Sequence, residues 1–548
     1  MKKILAVLLA ILLLIGGGVL FYLKKSSRVI STKYDGFHFI SEDKDIDESD
    51  FDRIDGQFYL SFDYIKENID ETIFYDENEK TVVFTNNEGT KEFIVEESRG
   101  FVNGKEIELR DPVRIVKNKV LVPIEVFIYD YPVDLRFVKD NNVLLLDRTD
   151  VNYAKGHPKG DGIKLREDAT TSSPIIRSLK QDQELFVYGE SGKWYKVRQI
   201  DGFAGYILKD ELQVDLPENP FVQPKESKKT EAPLKEPLNL TWDYTYGNET
   251  QERINKIKPI PGVNKVCPTW FSISNGNGDL IDRGNIEYVN RYRSFGIDVW
   301  GYLDNSFDPD ITHEALQSTA TRRKIINGLI ELLKKYDMKG INIDFEHTKI
   351  DDRDLITQFV RELTSRVHLM DVLVSVDVTP QISNNVLEEP YHRMDLAKVA
   401  DFIMLMAYDQ HWGSSPKAGS VAEYWWVEGN LNNLFRQIPM EKLVLGIPLY
   451  TRIWTEENGK VSSTTATMAE AKKFVNNHQL SPEWLEDGKQ YYVEAGSKKI
   501  WLEELESISW KTSLVNKYHL AGVASWRKGF ETDDIWLEID RQLQKTDK

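Results

Sequence analysis

Beyond residue 237 the chain repeats one pattern, an apolar run that reads as a strand followed by helix-like or loop sequence. Eight such runs occur, at 238–244, 265–273, 298–305, 340–346, 371–379, 400–409, 442–450 and 520–527. Most begin about 30–40 residues apart, the length of a strand-plus-helix unit. Eight units in about 300 residues predict a (β/α)8 TIM barrel over 238–545. The longer gap before the last run leaves room for a small insertion around 454–500. A TIM barrel places its chemistry at the C-terminal ends of its strands. There the runs carry polar or aromatic residues: Trp242-Asp243, Trp270, Asp304-Asn305, Asp344 and Glu346, Asp377, Tyr408-Asp409, Tyr450 and Trp526.

The fourth run, Gly340-Ile341-Asn342-Ile343-Asp344-Phe345-Glu346, alternates with period two. Ile341, Ile343 and Phe345 point one way; Asn342, Asp344 and Glu346 point the other. Helical patterns flank it at 325–333 and 355–369, so both faces should be covered. Three polar side chains on a covered face cost several kcal/mol unless they are paired or chemically employed. Packing does not account for this face, which makes it the first place to look for chemistry.

The net charge of −18 argues against nucleic acid or an anionic lipid surface as the main partner. Cys267 is the single cysteine, so the chain has no internal disulfide and no cysteine-based metal site. Its place in an apolar run reads as a buried structural thiol. No metal-ligand spacing occurs, and the chemistry developed below needs neither metal nor cofactor.

Upstream, residues 4–23 form an uninterrupted apolar run, about the 20 residues that a bilayer-spanning helix needs. Lys24 and Lys25 follow without a small-residue cleavage site, which favours a retained transmembrane helix over a cleaved secretory signal. The expected location is the cell membrane with the barrel on the extracytoplasmic side, or the exterior if the signal is cleaved. Residues 36–150 carry a weak repeat. A shift of 62 aligns Leu60 with Val122, Phe62 with Ile124, Ile65 with Phe127, and Val82-Val83-Phe84 with Leu144-Leu145-Leu146. Each copy reads strand, short helix, turn, strand, which predicts an N-terminal α+β repeat domain. Its Val120-Leu121-Val122-Pro123-Ile124 resembles the copper amine oxidase N-terminal-like domain of bacterial envelope proteins, yet no His or Cys cluster suggests copper. A scaffold or wall-contacting role is expected of it.

Residues 160–214 alternate in short strands, with Leu165-Arg166, Ser173-Pro174-Ile175-Ile176, Gly192-Lys193-Trp194-Tyr195-Lys196-Val197 and Asp201-Gly202-Phe203-Ala204-Gly205-Tyr206. They resemble a bacterial SH3 domain, a central SH3-like β-barrel. The resemblance implies contact with cell-wall glycan or peptide. Trp194 and Tyr206 read equally well as core residues or as a ligand groove. Residues 215–237, rich in Pro, Lys and Glu, read as a linker.

On the fourth strand Asp344 and Glu346 should stand roughly 6–7 Å apart on one side. Two carboxylates on one strand do not easily flank a glycosidic bond, as an ordinary glycosidase pair does. One arrangement fits. Glu346 protonates the leaving oxygen, the sugar's own 2-acetamido oxygen attacks the anomeric carbon, and Asp344 orients that acetamide. These residues resemble glycoside hydrolase family 18, whose strand-four signature is D-G-x-D-x-D-x-E: Gly340, Asp344 and Glu346 match, while Lys339 and Asn342 replace two of the Asp. The family's M-x-Y-D matches Met406, Tyr408 and Asp409, its G-x-P-x-Y matches Gly446, Pro448 and Tyr450, and its strand-eight Trp matches Trp526. The branch of spore-cortex and cell-wall glucosaminidases, often reading G-x-N-I-D-F-E, is the most similar part of the family.

The resemblance implies that Glu346, Asp344 and Tyr408 are catalytic, with Tyr408 hydrogen-bonded to the oxazolinium intermediate and Trp526 flooring the sugar. Asn342, Asp409, Trp270, Met406, Asn305, Tyr450 and Arg452 join Trp526 as candidate substrate-binding residues; Tyr450, Asn305 and Arg452 read equally well as packing residues. Asn342 cannot share a proton, so Asp344 is expected to stay more ionised than in relatives with both acids. Glu346 is expected to be raised by burial and a neighbouring carboxylate. The implied substrate is a glycan containing N-acetylglucosamine, either peptidoglycan or chitin-like. A catalytically silent glycan-binding barrel and an envelope scaffold are the competing readings.

Overall fold

The computed structural model describes residues 27–215, 222–224, 234 and 236–545. The run at 4–23 and most of the expected linker lie outside the described residues. Among the described residues no helix is long and apolar enough to cross a membrane. The chain divides into two compact units, residues 1–71 with 110–230 and residues 72–109 with 231–548.

In the first unit the repeat is visible in backbone form. Strand Gln57–Ser61 and strand Lys119–Pro123 are its two counterparts, and they pair antiparallel, Leu121 opposite Ser61. The expected helices differ. Phe62–Asn68 is a helix whose cap, Ser61, accepts from the Tyr64 N–H, whereas the second copy makes only the single turns Ile124–Val126 and Ile128–Asp130 with no side-chain cap. The run Ile124-Glu125-Val126-Phe127-Ile128 is β-branched or aromatic almost throughout, and such side chains lose χ1 freedom in a helix. The module is therefore β-rich rather than α+β. The SH3-like segment packs its strands around Leu165, Val187, Val197 and Ile207, with Trp194 buried and Tyr206 half-buried.

The second unit is built on the barrel. Its strands are β1 (Leu238–Asp243), β2 (Lys265–Pro268, resuming as Phe271–Ile273), β3 (Asp298–Val299, resuming as Gly301–Asp304), β4 (Gly340–Asp344), β5 (Leu373–Val378), β6 (Phe402–Met406), β7 (Leu443–Pro448) and β8 (Gly522–Trp526). All pair in parallel, and β8 with β1 closes the ring, Gly522 beside Leu238. Alternation sorts the side chains. Leu240, Trp242, Cys267, Trp300, Tyr302, Met404 and Val444 fill the interior, while Ile341, Ile343, Val376 and Leu405 meet the helix layer. Cys267 is buried, as its surroundings suggest. At Gly340 a Cβ would stand 2.3 Å from the Trp300 indole, so β4 can start there only with glycine. Strands from Tyr450–Glu457 to Lys498–Leu502, with helix Met468–Asn477, form the insertion between β7 and β8.

Within the stretch 36–150, residues 72–109 group with the barrel's unit. Residues 72–109 form a five-stranded antiparallel sheet, from Phe74–Asp76 to Lys105–Glu108, within the barrel's unit. It docks on helices α1 (Thr319–Lys335) and α2 (Arg353–Val367). Asp76 accepts from the N–H and hydroxyl of Thr319, and Glu79 from the Ala320 N–H, so two carboxylates cap the N-terminus of α1. Glu92 pairs with Arg323, and Arg322 with Glu362, inside the same buried seam.

Candidate active site

Register brings the site together. Tyr302 of β3 lies beside Asn342 of β4, Asp304 beside Asp344, and Asn342 beside Ser375 of β5. All these positions face the barrel interior. The Tyr302 hydroxyl donates to Asp344 Oδ2 at 2.6 Å, while Asp344 Oδ1 is buried with no hydrogen-bond partner. One layer below, Asn342 is fully committed. Its Oδ1 accepts from the Trp242 indole at 2.8 Å, and its Nδ2 donates to Ser375 Oγ at 3.0 Å and to Asp377 Oδ1 at 2.7 Å. Asn342 is therefore a bridge between strands, not a surface presented to substrate.

Glu346 stands two residues above Asp344 and is half-buried. Its backbone is clamped by Asn305, whose Nδ2 donates to the Glu346 carbonyl at 2.8 Å and whose Oδ1 accepts the Glu346 N–H at 3.2 Å. The Tyr391 hydroxyl holds the preceding carbonyl, of Phe345, at 2.8 Å. Burial raises the Glu346 carboxyl above its usual range, and the Asp409 carboxylate adds to the shift. Burial and the Glu346 charge push Asp344 well up too. Asp377, which accepts from Asn342, is also pushed well up by burial and by Asp344.

Across the barrel, the Tyr450 hydroxyl donates to Asp409 Oδ1 at 2.6 Å, and its ring meets that of Tyr408 edge-on, centroids 6.5 Å apart. Burial pushes the Tyr302, Tyr408 and Tyr450 phenols well up, so each remains an O–H donor at neutral pH. Trp526, half-buried at the end of β8, sits 6.0 Å from Trp242 between ring centroids. Met406 is nearly buried at the inward end of β6. Arg452 belongs to the insertion, where it donates to Ser463 Oγ at 3.1 Å.

Two candidates for substrate contact are placed elsewhere. Trp270 falls in the break between the two halves of β2 and turns outward. It is fully buried against Tyr288 and Tyr336, its indole donating to Glu249 at 2.6 Å. Asn305 is also fully buried, with its amide committed to Thr312 and to the Glu346 backbone. Sequence reading assigned no role to Tyr302, Tyr391, Ser375 and Asp377. The period-two pattern of Gly301-Tyr302-Leu303-Asp304 could have marked Tyr302 as inward-facing.

Residues 244–531, more than half of the chain, match the family described as glycosyl hydrolases family 18. Residues 161–213 match the bacterial SH3 domain and 45–145 the copper amine oxidase N-terminal domain. The uncharacterized glycosylase YvbX of Bacillus subtilis (strain 168) is 25% identical over 316 residues, covering 55% of this chain and 90% of that protein. The cortical fragment-lytic enzyme of the same organism is 23% identical over 257 residues, covering 45% of this chain but only 59% of that protein. Among solved structures, the spore cortex-lytic enzyme SleL of Bacillus megaterium QM B1551 shares the fold with a TM-score of 0.51 at 17% identity, over 61% of this chain and 80% of that one. By its barrel, its strand-end motifs and this match, the chain is a glycosidase belonging to glycosyl hydrolases family 18.

Proposed function

We propose that the barrel cleaves β-linked glycan containing N-acetylglucosamine, with retention of configuration and with the substrate's acetamide as nucleophile. One observation carries this reading. Asp344 is buried at the end of β4 with one oxygen held by Tyr302 and the other without a partner, and Glu346 follows it two residues on. A carboxylate so placed is poor as a second acid across a bond. It suits an acetamide N–H, which it can both orient and, as the oxazolinium forms, stabilise by charge.

Glu346 then acts first as the acid that protonates the leaving oxygen and next as the base that activates water. Its raised pKa suits the first task at neutral pH. Tyr408 hydrogen-bonds the intermediate, Tyr450 fixes Asp409 beside it, and Trp526 with Trp242 forms an apolar floor. The names of the relatives, together with the SH3-like module, favour peptidoglycan or a chitin-like polymer. The apolar run at 4–23 would hold the protein at the cell membrane with the barrel outside, while the SH3-like module contacts the wall. Mass spectrometry of products from defined muropeptides and chitooligosaccharides, wild type against Glu346→Gln, tests this. Defined fragments from the wild type alone support the reading; binding without cleavage replaces it with a silent glycan-binding barrel.

A further inference from the structure

Asp377 has no part in the steps above, yet it is 1% exposed inside the barrel. Neither it nor Asp344 has an ion-pair partner among the described residues. The titratable groups that face Asp377 are all acidic: Asp344 and Glu346 on and beyond β4, Tyr408 beyond β6, Tyr391 in the loop after β5, and Cys267 on β2. Its one hydrogen bond to β4 comes from Asn342 Nδ2, and Asn342 cannot swing away, because Trp242 and Ser375 hold the rest of its amide.

Asn342 lies beside Ser375 and Ile343 beside Val376, so the register carries Asp344 alongside Asp377. Two neighbouring carboxyls in a low-dielectric interior do not both ionise readily, since like charges with no counter-ion repel more strongly than in water. A pair of that kind keeps a proton and titrates as a unit. We propose that Asp377, held by Asn342, is the charge partner of Asp344: the two carboxyls keep one proton between them, and Asp344 carries its negative charge when that proton sits on Asp377. Asp377 is thus a positioning residue for the reaction. It touches no substrate, and it sets when Asp344 is charged. Its catalytic consequence rests on the substrate-assisted reading; its protonation does not.

The test follows the proton directly. Aspartate carboxyl carbons of the full chain are labelled with 13C and titrated by NMR, and the Asp344 signal is identified by its loss in Asp344→Asn. In Asp377→Asn the Asp344 titration should fall by roughly one pH unit or more. The acidic limb of kcat/KM on N-acetylglucosamine oligomers should move to lower pH alongside it. The double variant Asn342→Asp/Asp377→Asn returns a carboxyl to the neighbourhood of Asp344 and should restore the wild-type titration. Asp377→Ser, which also removes the charge, is carried in parallel, with melting curves to identify any loss of fold. An Asp344 titration that does not move in folded Asp377→Asn or Asp377→Ser overturns the proposal. Failure of the substrate-assisted reading would show separately, as cleavage by the wild type of oligomers stripped of their acetyl groups.

Discussion

Replacing Tyr302 by phenylalanine removes one hydroxyl and keeps the ring that packs the barrel interior. That hydroxyl donates to Asp344 Oδ2 at 2.6 Å, and the two residues are 1% and 4% exposed. Water therefore does not take its place, and Asp344 Oδ1 already lacks a partner. A hydrogen bond to a charged group contributes about 1.5–3 kcal/mol. If Asp344 carries charge as the acetamide turns positive, that whole amount is lost from the transition state. At about 1.4 kcal/mol per factor of ten, kcat/KM should fall roughly 10- to 150-fold. The bond also favours the ionised form, so its loss should raise the Asp344 pKa further and move the acidic limb of the rate profile to higher pH. Initial rates of reducing-end release from N-acetylglucosamine oligomers, measured across pH with a melting curve for each protein, provide the assay. A folded Tyr302→Phe enzyme with wild-type kcat/KM and an unmoved acidic limb would refute the reasoning.

Asn305→Ala should lower kcat about tenfold or more with little change in KM, because it frees the Glu346 backbone without touching the sugar; a rise in KM alone would mean that Asn305 contacts substrate after all. Gly340→Ala should cost at least about 1–3 kcal/mol, read as a lower melting temperature, since its methyl overlaps the Trp300 indole. Glu92, pushed up by burial to about 7 from an ordinary 4.5, holds a proton in the folded state that the unfolded chain has already released. Stability should therefore fall as pH rises from about 4.5 to 7, by about 3 kcal/mol in the limit, and Glu92→Gln should flatten that slope. Parallel melting-temperature profiles for wild type and Glu92→Gln would contradict this.

The barrel was legible because each strand is a separate apolar run at a regular spacing, a local signal. The strand Gly340–Asp344 was legible because its polar face contradicts its covered surroundings. What the sequence hid is register and tertiary contact. Asp377 reaches Asn342 only because Asn342 lies beside Ser375, a pairing between strands more than thirty residues apart. The carboxyl proposed as the partner of Asp344 was therefore invisible on β4, because it lies on β5. Trp270 misleads because β2 is interrupted at Thr269 and Trp270, and a break resets the alternation that sorts inside from outside. Asn305 misleads because a polar residue past a strand end can serve backbone as readily as ligand. The docking of 72–109 on the barrel depends on carboxylates meeting α1, a contact between segments over two hundred residues apart.

The central claim is that the sugar's own acetamide attacks, guided by Asp344. Rates and product anomers should be measured for N-acetylglucosamine oligomers and for the same oligomers stripped of their acetyl groups, with wild-type and Glu346→Gln enzyme. Wild type should release the β-anomer first from the acetylated oligomers and leave the stripped ones intact, and Glu346→Gln should cleave neither. Comparable cleavage of the stripped oligomers, or a first-formed α-anomer, would contradict the account.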